Sequence, residues 1–363
     1  MALTAVDGSA ALHAEFLPPS AARWAQFYAE LPAASRDVFY SPGFAELCQT
    51  SLNAQDRVLC AVASTPAGPI LYPFALRDLE QVTGSAAARG FCDITGLYGR
   101  GGIVCDPAAV PYLPAFHQAV RGFCTDHRVI CGFDRFHPVI GNDAFADAAE
   151  KVTEIGGFVV ASLEGGLEAI KSRHKSSVRN DYRRAERFGV TAFCEENVDH
   201  LDDFMRLYSG TMDRRGAREF YYFERSYFEQ MARLLPGNFT FFYAVSDGQI
   251  ISTDLILHDG LYAHLFLSGT DSAFQSLCAN PLLKQEIFRH FSERGATHFL
   301  LGGGTAPDDS LFRYKRAYAP NGVLPSRIGG TVFDTAGYAT LKEKLVAENI
   351  TVHPNRFQYY DPS

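Results

Sequence analysis

The spacing of apolar and polar positions changes period several times along this chain, and each change predicts an element. Residues 21–32 and 43–49 carry apolar side chains at helical spacing, and Pro114–His127 repeats that pattern. Val58–Ser64 and Ile70–Leu76 are β-rich runs joined across Pro66–Pro69, which predicts an antiparallel pair. Val129–Phe136 predicts a strand that stops at His137-Pro138, because the residue before a proline is pushed towards extended geometry. Around Glu164-Gly165-Gly166 the composition turns to a basic helical stretch, which places a boundary there.

Beyond it the pattern is sharper. Phe239–Ser246 and Ile250–His258 flank Asp247-Gly248, and Leu261–Ser268 follows across Asp259-Gly260, so two hairpin signals link three antiparallel strands. Pro281 then opens a helix with Leu282, Leu283, Ile287, Phe288 and Phe291 on one face and Gly295 as its stop. His298–Leu301 returns as a short strand into Gly302-Gly303-Gly304, Ser310 caps a short helix carrying Phe312 to Tyr318, and residues 327–333 add a last strand. The class is α/β (α+β), with mostly antiparallel sheet flanked by helices. AVASTPAGPI at 61–70 and AVSDGQI at 244–250 repeat a strand, a turn and a strand, a short echo that fits either a duplicated unit or chance.

Composition narrows the picture. The chain has 363 residues, 47% hydrophobic and 20% charged, with 33 basic and 41 acidic side chains for a net charge of −8. At ~100–200 residues per domain this is a self-sufficient globular protein of two domains or one large body. The negative balance argues against coating nucleic acid with the whole surface, which needs clustered Lys and Arg. No stretch reaches the ~18 apolar residues that cross a bilayer. The opening MALTAVDGSAALHAEF lacks a basic segment followed by an apolar run, so the chain reads as cytoplasmic. Eight scattered cysteines, none as CxxC, read as buried free thiols, and no metal site is expected.

Against that acidic background Lys171–Arg187 holds seven Lys or Arg and two acids. Lys175, Arg179, Arg183 and Arg187 recur every four residues, while Val178, Tyr182 and Ala185 form an apolar face. The stripe is either a solvated face or the seat of an anion, a phosphate-bearing substrate or an RNA backbone. Phe91–Gly102 packs glycines around Tyr98 and Arg100, which lets backbone approach a ligand, but it lacks a phosphate-loop lysine. Arg135 and His137 stand at a strand end, where open α/β sheets often place ligand-facing side chains. Leu300–Arg316 joins three glycines to a helix bearing Arg313, Lys315 and Arg316, a combination able to neutralise an oxyanion or phosphate. No nucleophile elbow, HExxH or Walker lysine occurs, so covalent catalysis is not indicated.

DITGLYGRGG at 93–102, FDRFHPVIGN at 133–142, KSSVRNDYRRAERFGV at 175–190 and FLLGGGTAPDDSLFRYKRAYAP at 299–320 occur in an order that resembles the FemABX-like branch of the GNAT acyltransferases. The resemblance implies tandem GNAT-like units, here 1–162 and 163–345 with a tail at 346–363. It implies transfer of an acyl or aminoacyl group to an amine without a covalent enzyme intermediate. It assigns Tyr314 and Lys315 to the charged end of the donor and the developing oxyanion, with Gly303 and Arg313 beside them. Tyr98, Arg100, Arg135 and His137 are expected to line the acceptor cleft, and Lys175, Arg179 and Arg183 to lie near phosphates. An attacking amine must lose a proton, for which Asp254 and His137 are the candidates.

GNAT enzymes of the ordinary kind grip the CoA pyrophosphate with glycines between the fourth strand and the next helix. Here that place reads Gln275-Ser-Leu-Cys278-Ala-Asn280 and both glycines are lost. Aminoacyl-tRNA is therefore the favoured donor, with no tightly bound cofactor and a small-molecule amine as acceptor. The alternatives are an acyl-CoA-dependent N-acetyltransferase and a non-catalytic protein that binds an anionic ligand.

Overall fold

The β-rich runs form strands, and a computed structural model describes residues 12–304, 306, 308–354 and 356–361. Their contacts divide the chain into two units, residues up to 154 with those from 327 onward, and residues 155–326. The chain runs through β1 (Glu15–Leu17), α1 (Ala22–Glu30), α2 (Pro42–Leu47), β2 (Arg57–Thr65), β3 (Gly68–Asp78), α3 (Leu79–Thr83), β4 (Cys92–Thr95), β5 (Val104–Cys105), α4 (Leu113–Asp126) and β6 (Val129–Arg135). It continues through β7 (Lys151–Ser162), α5 (Gly166–Arg173), α6 (Ser176–Arg187), β8 (Thr191–Glu195), α7 (Leu201–Arg215), α8 (Arg225–Leu234), β9 (Phe239–Ser246), β10 (Gln249–Asp259) and β11 (Tyr262–Thr270). Then come α9 (Ala279–Glu293), β12 (His298–Gly302), α10 (Ser310–Arg316), β13 (Val323–Val332) and α11 (Thr335–Ala347). In sequence, β7 and β13 straddle the two boundaries.

One plan builds both units. In the first, β1, β2, β3 and β4 pair antiparallel in that order, β6 joins β4 in parallel, and the far end of β13 pairs antiparallel with β6. In the second, β8, β9, β10 and β11 pair antiparallel, β12 joins β11 in parallel, and the end of β7 pairs antiparallel with β12. A parallel step needs a crossover, supplied by α4 in one unit and α9 in the other. The echoing segments 61–70 and 244–250 are the equivalent hairpins β2–β3 and β9–β10. The expected tandem architecture of mixed, mostly antiparallel sheets is thus observed.

The boundaries differ from 162/163 and 345/346. Residues 328–332 pair with β6, and Leu341, Leu345, Tyr359 and Tyr360 are buried with Ile130 and Cys131, so the expected tail is part of the first unit's core. Asp93, fully buried on β4, holds it there by accepting from Arg77 Nε and Nη2 at 2.9 and 2.7 Å, from Gln358 Nε2 at 2.8 Å and from the Tyr360 hydroxyl at 2.7 Å. Asp93→Ala leaves a nearly buried guanidinium without its main partner, a loss of about 3–5 kcal/mol. Tyr360→Phe removes one hydrogen bond to a charged group, about 1.5–3 kcal/mol. Urea unfolding followed at the first unit should rank them in that order.

The second unit's core lies between its sheet and helices α5, α6 and α9, with Ile170, Val178, Tyr182, Leu283, Phe288, Phe299 and Tyr318 all buried. Against β11, α7 comes so close that a Cβ at Gly269 would sit 2.6 Å from the Leu207 carbonyl carbon. No helix among the described residues is long and apolar enough to cross a membrane.

Candidate active site

The site in the second unit starts where β12 runs out into glycine. Gly302 has φ +97°, a conformation that favours glycine, and a Cβ there would stand 2.8 Å from Lys315 Nζ and push that ammonium aside. Asp309 caps α10 by accepting from the Phe312 amide at 2.7 Å, which fixes the helix that presents Tyr314 and Lys315. Lys315 Nζ donates to the Gly303 carbonyl at 2.8 Å. Burial, then the positive charges of Lys284 and Arg215, bring its pKa down to about 8. Thr305 and Pro307 of the glycine-rich run lie outside the described residues.

Behind Lys315 lies a chain of hydrogen bonds. Asp254 on β10 faces Ser268 on β11 across the antiparallel ladder and accepts from its hydroxyl at 2.6 Å. Its other oxygen accepts from Lys284 Nζ at 2.5 Å, and both partners are essentially inaccessible to water. Lys284 and Asn280 are one turn apart on α9, so Lys284 also reaches Asn280 Oδ1 at 3.1 Å. The Tyr314 hydroxyl donates to the same oxygen at 2.8 Å and meets the Tyr318 hydroxyl at 2.9 Å. Burial pushes the Tyr314 phenol upward, so it stays protonated at neutral pH.

Between β11 and α9, where a pyrophosphate would be gripped, residues Ser272–Leu277 form a 3₁₀ turn. Its Ala273, Phe274 and Cys278 amides are taken by the Asp271 carboxylate, the Asp271 carbonyl and the Gln275 carbonyl. Cys278 holds φ +57° without being glycine, and its thiol lies 3.8 Å from the Asp181 carboxylate. An anion arriving here meets these three occupied amides and two carboxylates.

Residues 172–316 match the acetyltransferase (GNAT) domain family. The second unit is a GNAT acyltransferase domain. The whole fold is similar to the crystal structure of FemX, at 14% identity and TM-score 0.70, covering 90% of this chain and 99% of that one. It is also similar to the C-terminal domain of an Agrobacterium fabrum protein described as a lysylphosphatidylglycerol synthetase, at 15% identity and TM-score 0.52, covering 89% and 95%. L-PGS from Bacillus licheniformis matches at 12% and 0.52, covering 87% and 97%. No curated protein sequence matches the chain. These likenesses show the fold, and the acetyltransferase (GNAT) family match over residues 172–316 makes the protein an acyltransferase.

In this acyltransferase, Lys315 and Gly303 are bonded to each other and Tyr314 is the residue before Lys315 on α10, with Arg313 beside them but exposed and donating to the Asp308 carbonyl at 2.6 Å. Asp254 is corrected. A carboxylate with no exposure, bonded on both oxygens and paired with an ammonium, is not an open proton acceptor. His137 is corrected as well. In the buried ring Nδ1 accepts the Val139 and Ile140 amides at 3.2 and 3.0 Å, which puts the proton on Nε2, 3.5 Å from Asp37. Neither nitrogen then offers a lone pair, and the ring braces the turn after β6.

Tyr98 and Arg100 also belong to the first unit, where Arg100 is buried and burial lowers its pKa to about 10, while Arg135 is exposed at the end of β6. The basic stretch is not one helix. His174 and Lys175 take extended geometry between α5 and α6, so Lys175 is the N-cap residue rather than part of a stripe. Arg179 and Arg183 line a cavity of about 390 Å³ with Lys171, Ser172, Tyr182 and Gln285, and Glu168 and Glu186 share its wall. Arg179 also donates to the His174 carbonyl. Lys284, Asn280 and Ser268 were not singled out from the sequence; the only available signal was a lysine on the inward face of an otherwise apolar helix.

Proposed function

We propose that this acyltransferase moves an aminoacyl group from a tRNA to a small-molecule amine, with Lys315 stabilising the oxyanion. The observation that carries the reading is the Lys315 ammonium at the glycine-rich end of β12, beside a phenol that stays protonated. The free amine attacks the ester carbonyl, a C–N bond forms, and negative charge develops on oxygen within reach of Nζ. Collapse breaks the C–O bond to the carrier. With Asp254 and His137 engaged, the amine's proton leaves with the carrier oxygen.

Two features favour tRNA over CoA. At the pyrophosphate position three amides are already bonded and the Asp271 and Asp181 carboxylates stand nearby. One of the similar folds, moreover, bears a name that describes an aminoacylated product. Acyl-CoA is the second reading, favoured by the acetyltransferase family match itself. Thermal shifts decide between them, since a ligand that binds the folded state raises its melting temperature by mass action. Charged or uncharged tRNA should raise it and acetyl-CoA should not; the reverse would install the CoA reading.

The phosphates of the donor are assigned to Lys171, Arg179 and Arg183. Exchanging Arg179 and Arg183 together for Ala should lower the slope of log Kd against log salt by about 2, one for each lost contact. An unchanged slope for tRNA would remove that assignment.

The pH dependence follows from Lys315. Its pKa is lowered to about 8, so the ammonium is present at pH 7 and lost as pH rises through about 8. A reaction that needs the cation should lose kcat/KM, reckoned on the unprotonated amine, tenfold per pH unit above that value. The residual rate of Lys315→Ala should lack this limb.

A further inference from the structure

Between α7 and α8 the chain exposes rings where a soluble surface usually avoids them. Phe220, Tyr221 and Tyr222 are 49%, 36% and 37% exposed in one short turn, while the next residue, Phe223, is buried. The turn is pinned. The Tyr208 hydroxyl donates to the Tyr221 carbonyl at 2.5 Å, the Tyr222 hydroxyl to Asp213 at 2.8 Å, and Phe223 packs against Tyr227 with ring centroids 4.6 Å apart. Arg218 lies 6.0 Å from the Tyr221 ring centre, and Phe220 meets Tyr221 edge-on at 5.5 Å. Residues 214–222 hold three arginines and one glutamate in a chain of net charge −8.

The stretch begins near the reactive site. Arg214 donates to the Thr270 carbonyl at the end of β11, and Arg215 is near enough for its charge to act on Lys315. Flat exposed rings interleaved with guanidinium groups bind unpaired bases by stacking and phosphates by charge.

We infer that the Arg214–Tyr222 turn is a stacking subsite for the unpaired 3′-terminal nucleotides of an RNA acyl donor. This rests on the tRNA reading above and deepens it. Chemistry selects the ligand: in an aminoacyl ester of RNA the terminal ribose carries the acyl group, so the last base must lie beside the reacting carbonyl. In an acyl-CoA the pantetheine arm keeps the adenine far from the thioester. Aromatic residues on a stretch that begins near the Lys315 site therefore suit the first carrier.

The test compares the full chain's affinity for two RNA hairpins, one with a single-stranded ACCA 3′ end and one blunt. Wild type should bind the first about tenfold more tightly, the gain expected from one or two stacked bases. Phe220→Ala with Tyr221→Ala should bind both hairpins equally and match wild type on the blunt one. Phe220→Trp with Tyr221→Phe should keep the preference, which separates lost stacking from lost folding. A preference that survives the double alanine variant overturns the subsite while leaving the tRNA donor standing. Wild type that binds neither hairpin defeats the donor reading and the subsite with it. If the double variant loses affinity for phosphatidylglycerol vesicles instead, the turn is a lipid contact and the inference fails.

Discussion

Lys315→Ala should lose about 10²–10³-fold in kcat/KM, the cost of removing one oxyanion-stabilising donor, while its melting temperature stays close to wild type. The fold is spared because the variant removes one ammonium-to-carbonyl bond, to Gly303, and relieves the burial of a charge. Gly302→Ala should reproduce the loss, since its Cβ would stand 2.8 Å from Nζ and the backbone sits at φ +97°. The pair of variants separates chemistry from position: alanine at 315 deletes the charge, whereas alanine at 302 displaces it. Full activity in Lys315→Ala, measured with a saturating acceptor, would remove the lysine from the mechanism.

The second large effect concerns stability. Asp254→Ala leaves the Lys284 ammonium buried without its partner, and single removal from a buried pair costs about 3–5 kcal/mol. For a unit of this size each kcal/mol moves the melting temperature by about 2–4 °C, so the drop is on the order of 10 °C. Asp254→Leu with Lys284→Met should recover most of that stability, because apolar side chains of similar volume avoid the desolvation of two charges. Calorimetry on the three proteins checks it. A small loss in Asp254→Ala would mean that water reaches Lys284.

These two effects also mark what the sequence made legible. Lys315 was readable because the glycines it serves lie on the same short segment, although the cap of α10 is Asp309 and not Ser310, which is the first residue of the helix. The helix α9 was readable from its apolar face and Gly295, although it starts at Ala279 rather than Pro281. Asp254 was read as an open carboxylate because nothing local reveals that a lysine 30 residues further on, on another element, will close over it. His137 failed for a local reason, its ring being consumed by amides of its own turn. The break between α5 and α6 has no proline or glycine to announce it; Lys175 bonds through its amide to the Ala317 carbonyl, a partner no helix pattern could supply. Strand β7 escaped notice because its first half is exposed and mixes Val152 and Ile155 with polar residues while only Phe158–Ala161 is buried, which blurs any period of two. The unit boundaries missed for a related reason: β13 and the C-terminal residues are placed by pairing with β6 and by Asp93, contacts made across more than 180 residues of chain.

The central claim is that Lys315 serves amide formation from an RNA-borne aminoacyl ester. Single-turnover transfer of a radiolabelled aminoacyl group from tRNA to a panel of small amines, run beside labelled acetyl-CoA at pH 7, tests it most directly. Label should move from tRNA into an amide product, and Lys315→Ala should slow that step about 10²–10³-fold. Transfer from acetyl-CoA alone, or tRNA-dependent transfer that is indifferent to Lys315, would contradict it.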